Sequence, residues 1–158
     1  MAHRPEALLD KIVSYLTECG LPFRTMTHEP TLTSEDSARA RGESLSCGGK
    51  ALLLKADGQL VLVVLSAARK ANFKKLRRAL GAKELRFANE SELKEHQLTK
   101  GAVPPFGFPI LPCPLYIDQS VLDNEKIAFN AGSLTDSIIM ATQDYLRAAG
   151  GTLGEFSE

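Results

Sequence analysis

Two apolar runs, at residues 51–55 and 60–65, are separated by Ala56-Asp57-Gly58-Gln59. This arrangement restricts the fold more than any other feature of the chain. Asp-Gly between two strand-length apolar runs supplies the left-handed backbone that a tight turn needs, so the pair reads as a β-hairpin of buried strands. The second run, Leu-Val-Leu-Val-Val-Leu, is the longest apolar stretch in the sequence. It is a strand's worth of chain, far short of the roughly 20 residues of a membrane span, and no membrane partner is expected.

Helices and further strands flank this hairpin. Following Pro5, which suits a first helical turn, Ala7, Leu8, Ile12, Tyr15 and Leu16 recur at helical spacing until Gly20 and Pro22 end the helix. Residues 23–28 alternate as a strand. Thr33 with Asp36 three residues on opens a short helix to about residue 41, and residues 42–49 form a small-residue loop. Residues 72–80 read as a helix with Phe73, Leu76 and Leu80 inward, stopped by Gly81. A strand at 84–87 follows, then a short helix started by Asn89 and Glu92. Residues 100–114 hold five of the eight prolines and can carry little helix. Strands are expected at 115–118, 127–129 and 138–140. Thr142 is expected to cap a last helix, which Gly150-Gly151 ends. Hairpins outnumber βαβ units. The fold class is therefore α/β in the α+β sense: one mixed, largely antiparallel, curled sheet surrounded by helices. A doubly wound parallel sheet is the alternative. A length of 158 residues is one domain, with a core from about 5 to 149 and a loose tail at 150–158.

Charge and cysteine usage narrow the function. Nineteen Lys+Arg balance nineteen Asp+Glu, which excludes a wholesale basic coat but leaves room for a local patch. Arg69, Lys70, Lys74, Lys75, Arg77, Arg78 and Lys83 follow one another with no acid between positions 69 and 83, whereas residues 118–158 carry seven acids and two bases. Such segregation favours a phosphate-facing patch over a merely solvated helix face. The three cysteines are widely spaced with no CxxC, and Met-Ala-His-Arg-Pro-Glu has no apolar core of a signal peptide, so a reduced, cytoplasmic chain is expected. Three scattered histidines give no metal-ligand spacing, and neither metal nor cofactor is expected.

Three segments can carry chemistry. Ser46-Cys47-Gly48-Gly49-Lys50 fails as a phosphate-binding P-loop: Ser44 stands at the first glycine position, Ala51 follows the lysine, and a strand comes next instead of a helix. It leaves Lys50 at a Gly-Gly lip, able to meet a phosphate or carbonyl oxygen as a point charge. A snorkelling strand-end lysine is the plainer reading. Gly101-Ala102-Val103-Pro104-Pro105-Phe106-Gly107 is a stiff loop whose amides can face a developing oxyanion; a packed connection plugged by Phe106 and Phe108 explains it as well. Asn130-Ala131-Gly132-Ser133-Leu134-Thr135-Asp136 is a polar turn after a strand, fit either for a small polar ligand or for satisfying its own amides. Cys47 with His28 suggests a thiol hydrolase, but no third orienting group accompanies them.

Taken in order, these segments resemble the YbaK/prolyl-tRNA synthetase-associated editing domain. The matching pieces are His28-Glu29-Pro30 before Thr33-Ser34-Glu35-Asp36, then Lys50-Ala-Leu-Leu-Leu-Lys55, the 60–65 run and Phe73-Lys-Lys-Leu-Arg-Arg-Ala-Leu-Gly81. Leu85-Arg-Phe-Ala88, Gly101-xxx-Pro105, Ile117-Asp118 and Ala131-Gly132-Ser133 complete the match. The resemblance implies hydrolysis of the ester between a wrong amino acid and a tRNA, without a cofactor or metal. Lys50 and the loop from Gly101 to Pro105 would be the shared functional elements. Gly49, Ala102, Val103, Phe106, Asn130, Gly132, Ser133 and Asp136 would shape the substrate pocket. Arg69, Lys70, Lys74, Lys75, Arg77 and Arg78 would hold the tRNA backbone. An activated ester needs only an oriented water and a stabilised oxyanion, and the resemblance suggests that the terminal ribose hydroxyl helps to activate that water.

Alanine-selective relatives carry histidine near the position of Asn130, and others near Leu134; this chain has neither. Ser133 and Asp136 would instead suit a side-chain hydroxyl, so serine or threonine is the expected amino acid, with alanine, cysteine and proline open. The expected protein is a monomeric deacylase acting in trans on mischarged tRNA, with a synthetase as a further possible partner. A catalytically silent RNA- or synthetase-binding module is the alternative.

Overall fold

The computed structural model describes residues 7–158; Pro5 and the start of the expected core lie outside the described residues. The hairpin is formed by β2 (Gly49–Ala56) and β3 (Gln59–Ser66), paired from Gly49 with Ser66 to Ala56 with Gln59. Its two turn residues, Asp57 and Gly58, have φ of 48° and 83°, as a two-residue turn between twisted strands requires. The Asp57 carboxylate accepts from the amides of Lys83 and Glu84 at 3.1 and 2.8 Å, tying the turn to the next strand.

That next strand, β4 (Leu85–Phe87), pairs antiparallel with the far end of β2. On the other side β5 (Leu115–Asp118) runs parallel to β3, and β8 (Thr152–Gly154) runs parallel to β5. A second sheet of β1 (Arg24–Thr27), β7 (Asp136–Ala141) and β6 (Lys126–Asn130) is antiparallel throughout. Four of the six pairings are thus antiparallel. The sheet expected as one curled unit is two ladders, joined at an isolated bridge between Gly48 and Ala128. The division lets Ile127, Phe129, Ile138 and Met140 of the small sheet share a core with Leu53, Leu62 and Val64 of the large one.

Helices α1 (Leu8–Glu18) and α5 (Thr142–Ala149) close this shared core through Ile12, Leu16 and Tyr145. Alternate residues of the hairpin, Leu54, Val61 and Val63, point the other way and pack on Leu76 of α3 (Phe73–Leu80). Both faces of the hairpin are therefore covered, which is why its strands read as continuous apolar runs. The helices expected from Thr33 and Asn89 start there, and Asn72, read as the first residue of its helix, is that helix's cap. Thr33 Oγ1 accepts from the Asp36 amide at 3.0 Å ahead of α2 (Ser34–Arg41), and Asn72 Oδ1 from the Lys75 amide at 3.1 Å ahead of α3. Asn89 and Glu92 form a reciprocal capping box on α4 (Glu90–Glu95).

Two expectations need correction. Thr142 does not cap α5: Ala141 holds the cap position, and the Thr142 hydroxyl donates to the Asn124 carbonyl at 2.7 Å. Nor is the segment 150–158 loose. It supplies β8 and buries Phe156 and Ser157. The Phe156 amide and Ser157 hydroxyl donate to the carboxylate of Asp118 at 2.6 and 2.8 Å. A buried carboxylate needs donors, and this tail provides two of them.

Candidate active site

β4 covers only the end of β2, so residues 49–53 of β2 keep an open edge. A cavity of about 890 Å³ lies along that edge, within the range of pockets that hold a small ligand. The carbonyl of Leu53 already turns to this side, accepting from the Ala88 amide at 2.9 Å. Strand alternation therefore places the N–H and C=O of Ala51 on the same open edge. The cavity is completed by the end of α2, the turn between β4 and α4, the loop around Gly101, and Asn130 at the end of β6.

Lys50 is half-buried in the cavity wall, and its ammonium donates to the Arg69 carbonyl at 2.7 Å. Burial lowers its pKa from the ordinary lysine value; Glu35 opposes the shift and Lys70 adds to it. Gly101 and Val103 also line the cavity. Gly101 has a φ of 84°, a conformation that favours glycine. The Ala102 amide is used inside the loop, donating to the Thr99 carbonyl at 3.0 Å. The Gly101 and Val103 amides have no hydrogen-bond partner among the described residues and are the donors left for a ligand. Asn130 Nδ2 donates to the Gly101 carbonyl at 2.8 Å, pinning the loop from below.

Opposite stands Arg41, only 8% exposed yet part of the cavity wall. Its Nε donates to Ser137 Oγ at 2.9 Å, its Nη2 to Asn130 Oδ1 at 2.9 Å and its Nη1 to the Ala128 carbonyl at 3.4 Å. Burial lowers its pKa, against the opposing pull of Cys47 and Glu43. Ser137 in turn meets His28 Nε2 at 2.8 Å. His28 Nδ1 faces the Glu29 carbonyl at 2.8 Å, which can only accept. In the neutral ring this leaves Nε2 as the acceptor of the serine proton.

Compared with known proteins, residues 28–148 match the model of the aminoacyl-tRNA editing domain. The chain belongs to the aminoacyl-tRNA editing domain family. Escherichia coli strain K12 has a relative named multifunctional Ser/Thr-tRNA deacylase ProXp-y. It is 35% identical over 150 residues, which are 88% of this chain and 86% of that protein. The prolyl-tRNA editing protein ProX of Acetoanaerobium sticklandii is 27% identical over 139 residues, 84% of this chain and 85% of that protein. A solved structure described as a candidate trans-editing enzyme for prolyl tRNA synthetase superposes with a TM-score of 0.85 at 21% identity, covering 98% of this chain and 99% of that one. At that identity the likeness carries the fold.

Within this editing domain, Gly49, Lys50, Gly101, Val103 and Asn130 meet at one cavity. Other residues singled out from the sequence do not line it. Ala102, Pro105 and Phe106 are buried behind the loop, where the Pro105 carbonyl accepts from the Tyr145 hydroxyl at 2.6 Å and Phe106 packs edge-on against Phe129. Gly132 packs on α1, where a Cβ would come within 2.6 Å of Leu8 Cβ. Ser133 donates to Asp136 Oδ2 at 2.6 Å, so the polar turn satisfies itself. Arg69, Lys70, Lys74, Lys75, Arg77 and Arg78 are all exposed, and none forms an ion pair among the described residues. Phe73, at the start of their helix, packs on Phe87 of the cavity rim with ring centroids 5.3 Å apart. The basic helix therefore begins beside the mouth.

The sequence reading missed Arg41, Thr31 and Ser37 in the wall and the exposed Leu32 and Phe87 at the mouth. One signal was present for Arg41. It follows Ser37 and Ala38 at helical spacing, on the small-residue face that α2 buries. Cys47, by contrast, is buried beside Ala128 and Ile139, with its sulfur near the Ser44 carbonyl at 3.3 Å. His28 is engaged elsewhere, and the Glu43 carboxylate, 4.0 Å from the sulfur, is held by Lys126 at 2.9 Å. Among the described residues, no three His, Cys, Asp or Glu side chains gather as a metal site, and no helix is long and apolar enough to cross a membrane.

Proposed function

We propose that this chain is a trans-acting aminoacyl-tRNA deacylase that removes serine or threonine from mischarged tRNA. The observation that carries the reading is that Lys50, Gly101 and Val103 line one cavity, in a chain of the editing-domain family. The aminoacyl ester enters with its terminal nucleotide. A water attacks the ester carbonyl, and the carbonyl oxygen gains the negative charge of a tetrahedral intermediate. The free Gly101 and Val103 amides stabilise that charge, and Lys50 holds the terminal phosphate or the intermediate itself. When the intermediate collapses, the ribose oxygen leaves with a proton and the free amino acid departs. The neighbouring ribose hydroxyl of the tRNA orients the water, so no protein nucleophile is consumed.

Specificity for a hydroxylated amino acid rests on the Thr31 and Ser37 hydroxyls of the cavity wall, which share one bond at 2.8 Å and leave the Thr31 proton free to donate. It does not rest on Ser133 and Asp136, which do not line the cavity. A wall built to bond a hydroxyl discriminates well against analogues that lack one. The exposed bases from Arg69 to Arg78 receive the acceptor-end backbone through phosphate charge alone. The reading takes the chain as one cytoplasmic, monomeric domain, with tRNA as its substrate and no cofactor.

The test is a deacylation panel over Ser-, Thr-, Ala-, Cys- and Pro-charged tRNAs. Release of free serine and threonine is expected, faster than release of alanine. Stable binding of charged tRNA with no ester loss would instead identify a silent RNA-binding module.

A further inference from the structure

Arg41 presents a problem that the reaction above leaves unsolved. It is a buried cation with no carboxylate partner among the described residues. The carboxylate nearest in sequence, Glu43, favours the guanidinium from beyond ion-pair distance and is itself paired with Lys126 at 2.9 Å and Arg24 at 3.6 Å. A guanidinium buried without a counter-ion costs stability, so its position calls for a reason beyond folding. Its contacts supply one. Three nitrogens hold β6 and β7 at Ala128, Asn130 and Ser137. Through Asn130 the chain of bonds continues to the Gly101 carbonyl, in the loop whose Gly101 and Val103 line the cavity.

The amide of Asn130 can face only one way here. Its oxygen must point at the guanidinium, which has no acceptor, and this turns its Nδ2–H toward the Gly101 carbonyl. A donor that is charged strengthens the next bond in such a chain. Resting on the deacylase reading, we propose that Arg41 is the positioning residue of the site: it orients Asn130, and Asn130 fixes the Gly101 peptide so that the loop amides stay in register for the oxyanion.

Asn130→Asp separates this role from a structural one. The new carboxylate gives Arg41 the counter-ion it lacks, so the fold should be as stable as the wild type or more so. It cannot donate to the Gly101 carbonyl, so the loop tie breaks. The expected results are a thermal midpoint equal to or above that of the wild type, shifted backbone amide resonances at Gly101, Ala102 and Val103, and faster hydrogen exchange there. Turnover should fall on the order of 10²-fold, while KM for charged tRNA stays within about threefold, as expected for an interaction made in the transition state. Arg41→Met is the second variant. It should shift the same loop resonances, because Asn130 loses the group that sets its orientation.

Unmoved loop resonances in both variants overturn the proposal, whatever the activity. So does an Asn130→Asp protein that keeps wild-type turnover. Wild-type protein that releases no amino acid from any charged tRNA sinks the deacylase reading itself, and with it the use of the Arg41 tie in deacylation; the resonances then still decide whether the tie exists.

Discussion

Replacing Lys50 by alanine separates chemistry from folding. The ammonium makes one hydrogen bond within the protein, to the Arg69 carbonyl at 2.7 Å. A bond from a charged group is worth about 1.5–3 kcal/mol when nothing offsets its loss. Here two things do. The group is only half-buried, so water replaces part of the bond, and its lowered pKa shows that the folded site disfavours the charge. Because the folded pKa lies below the unfolded one, the protonated lysine is a burden on the fold at neutral pH, relieved only as the pH rises through the folded pKa. Removing it relieves that burden and the repulsion from Lys70. The net change in stability should be about 1 kcal/mol or less, which moves the melting temperature of a domain this size by at most about 4 °C. Turnover should fall by about 10²–10³-fold, or about 2.7–4 kcal/mol of transition-state stabilisation. Single-turnover release of serine from charged tRNA, run beside a thermal melt, measures both. A folded Lys50→Ala protein with turnover within a few fold of the wild type refutes the role given to Lys50. A fall in melting temperature of ten degrees or more refutes the energetic argument.

Cys47→Ser should leave deacylation within about threefold, since the thiol bonds a backbone carbonyl and does not line the cavity; collapse of activity or a trapped thioester in the wild type would revive a covalent route. Neutralising Lys74 and Arg78 together should raise KM more than it lowers kcat and flatten the salt dependence by roughly 0.7 per phosphate contact; identical slopes would show a solvated face. Lys75 is left in place because its ammonium donates to the Ser157 carbonyl at 3.0 Å and braces the tail. Asp118 should give an acid-dependent stability. Burial raises its pKa, but hydrogen bonds from Ser120, Phe156 and Ser157 outweigh this and hold the carboxyl below its ordinary value. Its contribution is present above the unfolded value of about 3.9 and is lost as the pH falls through the folded pKa. Asp118→Asn should flatten that acid limb in melts recorded against pH, and an unchanged limb would assign it to other carboxylates.

What the sequence by itself determined is local. The Asp57-Gly58 turn, the helix starts at Thr33 and Asn89, and the helical spacing of Phe73, Leu76 and Leu80 each depend on a few adjacent residues, and each appears as expected. The register of the hairpin follows from its turn. The exposed basic run was equally legible, because a charge without a nearby acid stays in water. Lys50 and the Gly101 loop were recognisable because their order along the chain resembled a known domain.

The tertiary structure alone decided which residues face the cavity. Its wall draws on α2, the edge of β2, the β4–α4 turn, the Gly101 loop and the end of β6, segments brought together across most of the chain. Nothing within the turn at 130–136 says that Asn130 faces the cavity while Ser133 and Asp136 close on each other; the pairing of β6 with β7 settles that. The tail is the same case. Thr152–Gly154 has no strong strand pattern, but β5 leaves an edge free and Asp118 leaves a buried carboxylate to be satisfied, and only a segment arriving from the end of α5 can meet both demands. Arg41 is the clearest instance. An arginine at the end of a polar helix reads as solvated, and it is buried only because Asn130, Ser137 and the Ala128 carbonyl converge on it from the second sheet.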